Sequence, residues 1–119
     1  MANYYPEDAD MATRAARAWP VLAMLAHQRR TMPYGELAQI LGMPHHRPLR
    51  YVLGHIMKYC DQHGLPPLTA VIVKMESGQP GEGLTTAPDP QLARDQVFNV
   101  NWWRIVPPTI DELRATGWA

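Results

Sequence analysis

The sequence predicts a mainly α-helical domain carrying a small β wing, on three observations. Apolar residues recur at three- and four-residue steps in three successive segments between Ala12 and Cys60. A glycine, Gly42, punctuates the passage from the second segment to the third. A β-branched run, LTAVIVKM, then breaks into ESGQPGEG, a loop containing Gly78, Gly81 and Gly83. At 119 residues and 46% hydrophobic, the chain has the size of a single domain spanning 1–119, able to bury a core without disulfides or metal.

Asp8 or Asp10 can cap the first helix, whose apolar stripe is Ala12, Ala15, Ala16, Trp19, Leu22, Leu25 and Ala26. Pro20 falls inside it, so a kink or two shorter abutting helices is expected there. The second helix is short. Pro33 suits its first turn, Tyr34, Leu37, Ala38 and Leu41 form its apolar face, and Gly42 stops it. MPHHRP makes a tight connection to a third helix from about Pro48, with Leu49, Val52, Leu53, Ile56, Met57 and Cys60 inward and Gly64 at its end. The outward side of that helix reads Arg47, Arg50, Tyr51, His55, Lys58 and Gln62.

Two helices joined at a glycine turn, the second presenting cations and hydrogen-bonding groups outward, form a helix-turn-helix arrangement over about 33–63. The strand and loop over about 68–84 stand where a winged helix has its wing. The tail, 88–119, begins with a helix capped by Asp89. It continues through VFNVNWWRIV as a strand or buried loop, and ends in a turn, IDELRA, capped by Thr109.

Net charge is zero, but its distribution is uneven. From Ala12 to Cys60 seven cations face a single carboxylate, Glu36; the remainder holds four cations and ten carboxylates. A basic segment of this kind suits an acidic partner such as nucleic acid, although ordinary solvated helix faces carry such charges too. The chain has no apolar run of about 18 residues, and its amino terminus lacks the basic-then-apolar order of a signal peptide. The lone cysteine, Cys60, fits a reducing compartment, and a cytoplasmic protein with no membrane association is expected.

From Met32 to Leu84 the order of motifs resembles the carboxy-terminal, DNA-binding domain of the alkylguanine DNA alkyltransferases and their non-catalytic alkyltransferase-like relatives. YGELAQILG is similar to the family's tyrosine-led helix, and VLGHIM to its recognition helix. Pro67 to Ile72 fall where the family has PCHRVV, and ESGQPGEGL where it has its glycine-rich wing. The family's nucleophilic cysteine and its histidine are replaced here by Leu68 and Thr69, which cannot form a nucleophile–base pair, so alkyl transfer is not expected. The position of the family's intercalating arginine holds Tyr51, which could stack on a base or pack against the wing. Tyr34 matches a tyrosine that contacts phosphate, and is also the first apolar anchor of its own helix.

His45, His46, Cys60 and His63 lack paired metal-ligand spacing, and GQPGEG lacks the lysine and helix start of a nucleotide loop. Glu36 is better placed to pair with Arg29 or Arg30 than to act as a base. Gly54, unfavourable within a helix, marks a close approach, either by the first helix or by DNA. Cys60, on the apolar stripe, is expected to be a small hydrophobe with a raised pKa.

The expectation is therefore a non-enzymatic, cofactor-free, metal-free winged helix-turn-helix binding double-stranded DNA through Tyr34, Arg47, Arg50, Tyr51, His55, Lys58 and Lys74. The alternative is a winged helix that binds protein, an accessory or regulatory subunit of a phage-related or defence system. Its interface would be the tail with Trp102, Trp103 and Trp118.

Overall fold

The computed structural model describes residues 2–6, 8–74 and 89–118. They form a mainly helical fold with one two-stranded parallel sheet. The stretch expected to form the wing, ESGQPGEG, lies outside the described residues.

Helix α1 runs Met11–His27 and opens on Asp10, whose Oδ1 accepts from the Thr13 amide at 2.9 Å and from the Thr13 hydroxyl at 2.6 Å. The expected stripe is buried, apart from Ala16, which is half-buried. Of the two outcomes expected at Pro20, the pair of shorter abutting helices does not occur: one helix runs through it. Pro20 is exposed, so its ring lies on the solvent side, where water can serve the carbonyl that its missing N–H leaves free.

The Thr13 hydroxyl, the Thr13 amide and then Arg114 hold the Asp10 carboxyl well below the usual carboxylate range. Arg114 Nη2 lies 2.9 Å from Asp10 Oδ2 and ties the carboxy-terminal region back to this cap. A depressed pKa contributes stability above the unfolded value, near 4, and loses it as pH falls toward the folded value. Asp10→Ala should cost about 1 kcal/mol near neutral pH. Asp10→Asn should keep the cap but flatten the acid limb of stability below about pH 4, as urea unfolding at stepped pH would show.

Strand β1, Met32–Pro33, pairs in parallel with β2, Ile72–Val73, Met32 opposite Ile72 and Pro33 opposite Val73. Helix α2, Tyr34–Ile40, follows β1 directly and buries Leu37 and Ala38. Gly42, at φ +71°, ends it, and the Met43 amide donates to the Ala38 carbonyl at 2.9 Å. Helix α3, Leu49–Gln62, buries every apolar position expected of it, together with Tyr59. Its stop is the same: Gly64 lies at φ +69°, and the Leu65 amide donates to the Cys60 carbonyl at 2.9 Å. Helix α1 ends in this motif with a non-glycine residue, Arg29, at φ +55°. Its guanidinium is anchored on Asn99 Oδ1 at 2.9 Å and above the Phe98 ring, which helps hold a conformation costly for a residue with a Cβ.

The segment LTAVIVKM was expected as a strand; of its described residues, Leu68 to Lys74, only Ile72–Val73 pairs, and Leu68–Val71 winds into a fully buried 3-10 turn. The partner strand is two residues long, so only two residues of the run can join it. Helix α4, Pro90–Phe98, starts on the Asp89 cap as expected. VFNVNWWRIV forms no strand; it completes α4 and then makes a 3-10 turn, Trp102–Arg104. Helix α5, Ile110–Arg114, carries a reciprocal capping box: Thr109 Oγ1 accepts from the Glu112 amide, and Glu112 Oε1 accepts from the Thr109 amide.

Trp19 is the hub of the core. Its ring meets Tyr59 of α3 and Trp102 edge-on, each with centroids 5.8 Å apart. Trp102 donates its indole N–H to the Val97 carbonyl at 2.8 Å, so its one polar atom is satisfied inside. No described helix is long and apolar enough to cross a membrane.

Candidate functional site

The amino-terminal end of α3 is where exposed charge and aromatic surface meet. Arg47 and Arg50 are exposed, Tyr51 is 43% exposed, and the Arg50 guanidinium lies 5.5 Å from the Tyr51 ring centre. The first turn of α3 contains no acidic residue, and no side chain caps its amides. The positive end of the helix dipole therefore adds to the two guanidinium groups and nothing nearby in that turn offsets them. His45 and His46 are exposed in the connection just before. That connection covers eight residues, 41–48, and is longer than the three- or four-residue turn of the simplest helix-turn-helix. Buried Met43 pins it to the core.

Parallel pairing sets two further expected residues side by side. Because Pro33 faces Val73, the next residues, Tyr34 and Lys74, leave the sheet at the same end. Lys74 is exposed, and Tyr34 is half-buried at the start of α2. Lys58 is exposed two turns after Arg50 on α3.

His55 does not belong to this surface, contrary to expectation. It is 7% exposed, and its Nδ1 lies 2.9 Å from the Leu113 carbonyl and 3.3 Å from Thr116 Oγ1. Helical periodicity puts it on the outward side of α3, but α5 and the segment that follows it come back and cover it. The same segment answers the question raised by Gly54. A Cβ at Gly54 would fall inside the Trp118 indole, so the close approach is made by the chain's own tail rather than by α1.

Leu68 and Thr69 are completely buried in the 3-10 turn, which Arg94 of α4 braces by donating Nε–H to the Ala70 carbonyl at 3.2 Å. Cys60 is also completely buried, and its thiol bonds to the backbone of Leu68. Burial pushes that thiol up to about 11, the direction expected of a small hydrophobe on the apolar stripe. In the folded protein a disulfide reagent at about pH 8 should therefore leave Cys60 unmodified for as long as the chain stays folded, and titrate one thiol per chain in urea. Rapid modification of the native protein would contradict this placement.

His63 stacks on Tyr59, with centroids 4.0 Å apart and its Nδ1 2.8 Å from the Tyr59 carbonyl, while Cys60 points inward. Among the described residues no three His, Cys, Asp or Glu side chains converge on a point that could hold a metal ion. Arg29 reaches Asn99 and Arg30 reaches Gln28, rather than the expected Glu36. An open depression of about 550 Å³ is lined by Leu65, Pro66, Pro67, Gln96, Asn99 and Val100, with no acid, base or nucleophile among them.

The tryptophans separate by role. Trp102 is core and Trp118 is seated on α3; Trp103, 52% exposed beside His27, faces outward. No protein-family model matches the chain, and neither a curated protein nor a solved structure shows significant similarity to it.

Proposed function

We propose that the chain is a non-enzymatic winged helix-turn-helix module that binds double-stranded DNA, in keeping with its resemblance to the alkyltransferase-like domain. The observation that carries this reading is the amino-terminal end of α3. It presents Arg47, Arg50 and Tyr51 to solvent with no carboxylate in its first turn. Helices that read DNA address the major groove with their amino-terminal residues. Arg50 and Arg47 suit phosphate or a guanine edge, and Tyr51 offers a stacking face. Lys58 and Lys74 extend the contact along the backbone, and Tyr34 stands beside Lys74 at the end of the sheet. His55 is removed from this set because its imidazole is committed to α5 and the tail.

The protein-binding reading is favoured by fewer residues than its three tryptophans promised. Trp102 and Trp118 are used within the fold, and Trp103 is left as its anchor.

Titration of a mixed-sequence duplex at about 50 mM and about 200 mM salt tests the proposal. Micromolar or tighter binding that weakens steeply with salt is expected; a folded protein that retains no duplex at the lower salt refutes it.

A further inference from the structure

The outward face of α3 is interrupted in the middle. Gly54 lies one turn after Arg50 and Tyr51 and one turn before Lys58, and the Trp118 indole sits directly on it. The approach is fastened along the helix. The Leu113 carbonyl and Thr116 Oγ1 meet His55 Nδ1, and Gln62 Nε2 donates to the Thr116 carbonyl at 3.1 Å. Gly117, at φ +80°, then turns the chain so that Trp118 falls back on the glycine. A side chain at position 117 would resist that turn, and a side chain at position 54 would fill the seat.

This seat is well shaped but incompletely satisfied. The Trp118 indole N–H is buried and has no hydrogen-bond partner among the described residues. By contrast, Trp102 gives its indole N–H to a carbonyl. An indole that has lost water without gaining an acceptor is held by shape and apolar contact alone, and leaving the seat restores its hydrogen bond to water. The rest of the carboxy-terminal region does not depend on it. Helix α5 has its own capping box, a buried Leu113 and the Arg114–Asp10 ion pair.

A major groove about 12 Å wide admits one helix of about 10–12 Å with its side chains. An indole lying across the outward face makes α3 too thick at its centre for Arg50 and Lys58 to reach the same duplex. We propose that Gly117–Trp118 is an autoinhibitory cover, seated on Gly54 in the free protein and released when duplex DNA takes the face of α3. This rests on the DNA-binding reading and adds to it a competitor within the chain. The apparent affinity of the free protein is lowered by the fraction of molecules that have the face open.

The test compares the full chain with Trp118→Ala in binding a mixed-sequence duplex at about 50 mM salt, with thermal melting to verify that both are folded. Trp118→Ala is expected to bind about tenfold tighter, the gain for a cover seated in about nine molecules of ten. A second measurement uses the unaltered sequence grown with fluorinated tryptophan, its Trp118 fluorine resonance assigned by Trp118→Phe. On saturation with duplex that resonance should become sensitive to the solvent isotope, while those of Trp19 and Trp102 stay protected. Equal or weaker binding by a folded Trp118→Ala chain overturns the cover and leaves DNA binding standing, as does a Trp118 resonance unmoved at saturation. Duplex binding by neither chain overturns both proposals.

Discussion

Trp19→Ala is expected to be the most damaging single substitution in the chain, costing about 3–5 kcal/mol. Trp19 is 1% exposed, sits midway along α1, and is met edge-on by Tyr59 from α3 and by Trp102 from the tail. Removing the indole takes away the largest apolar surface in the core and leaves a cavity that three separate elements would have to move together to close. A domain of this size has a total stability of about 5–15 kcal/mol, so the variant should melt on the order of 10–20 °C lower, with a marginal folded population. Trp19→Phe separates the contributions. It keeps most of the volume while weakening the two edge contacts, at a cost of about 1–2 kcal/mol. Urea unfolding of the two variants checks the ranking; an alanine variant that loses less than about 1 kcal/mol would place the hub of the core elsewhere.

The burial of Trp19 was legible in the sequence, since it lies on the three- and four-residue stripe of α1, and so were α2, α3 and their stops; its place as hub was not, because Tyr59 and Trp102 reach it from distant segments. Gly42 and Gly64 stand where the periodic apolar residues end, and both take the left-handed conformation that closes each helix. The features that were not legible depend on residues far apart in sequence. Whether Pro20 breaks α1 depends on which side of the helix faces solvent, and its exposure lets the helix run on. The residues of LTAVIVKM favour a strand, but the length of the sheet is set by the two-residue partner forty positions earlier. His55 falls outward by helical periodicity and is nevertheless buried, because its cover arrives from residues 113–118. The tryptophans teach the same lesson: residue type does not distinguish an indole that fills a core from one that rests on a helix or faces water. Gly54 is the informative exception. A glycine that weakens a helix signalled a close neighbour, and the neighbour exists, though the sequence could not say which one.

Arg50→Ala combined with Lys58→Ala is expected to weaken duplex binding roughly 50–100-fold at about 0.1 M salt and to reduce the steepness of its salt dependence by about two. Each cation that neutralises a phosphate releases condensed counterions, which contributes about 0.9 to the slope of log affinity against log salt. Both side chains are exposed, one on either side of the Trp118 seat, and neither makes an ion pair among the described residues that its removal would leave unmatched. The folded state should thus tolerate the double substitution within about 0.5 kcal/mol, and a loss of binding would report on the interface rather than on stability. The slope distinguishes mechanisms that affinity alone does not. If Arg50 touches a base edge bidentately and Lys58 a phosphate, Arg50→Ala should relax sequence preference, whereas Lys58→Ala should weaken all duplexes alike and lower the slope by about one. Duplex affinity and slope both unchanged in the folded double variant would exclude α3 as the DNA-binding helix. The exposed cations of α1 and its carboxy-terminal turn, Arg29 and Arg30, would then be the next surface to test.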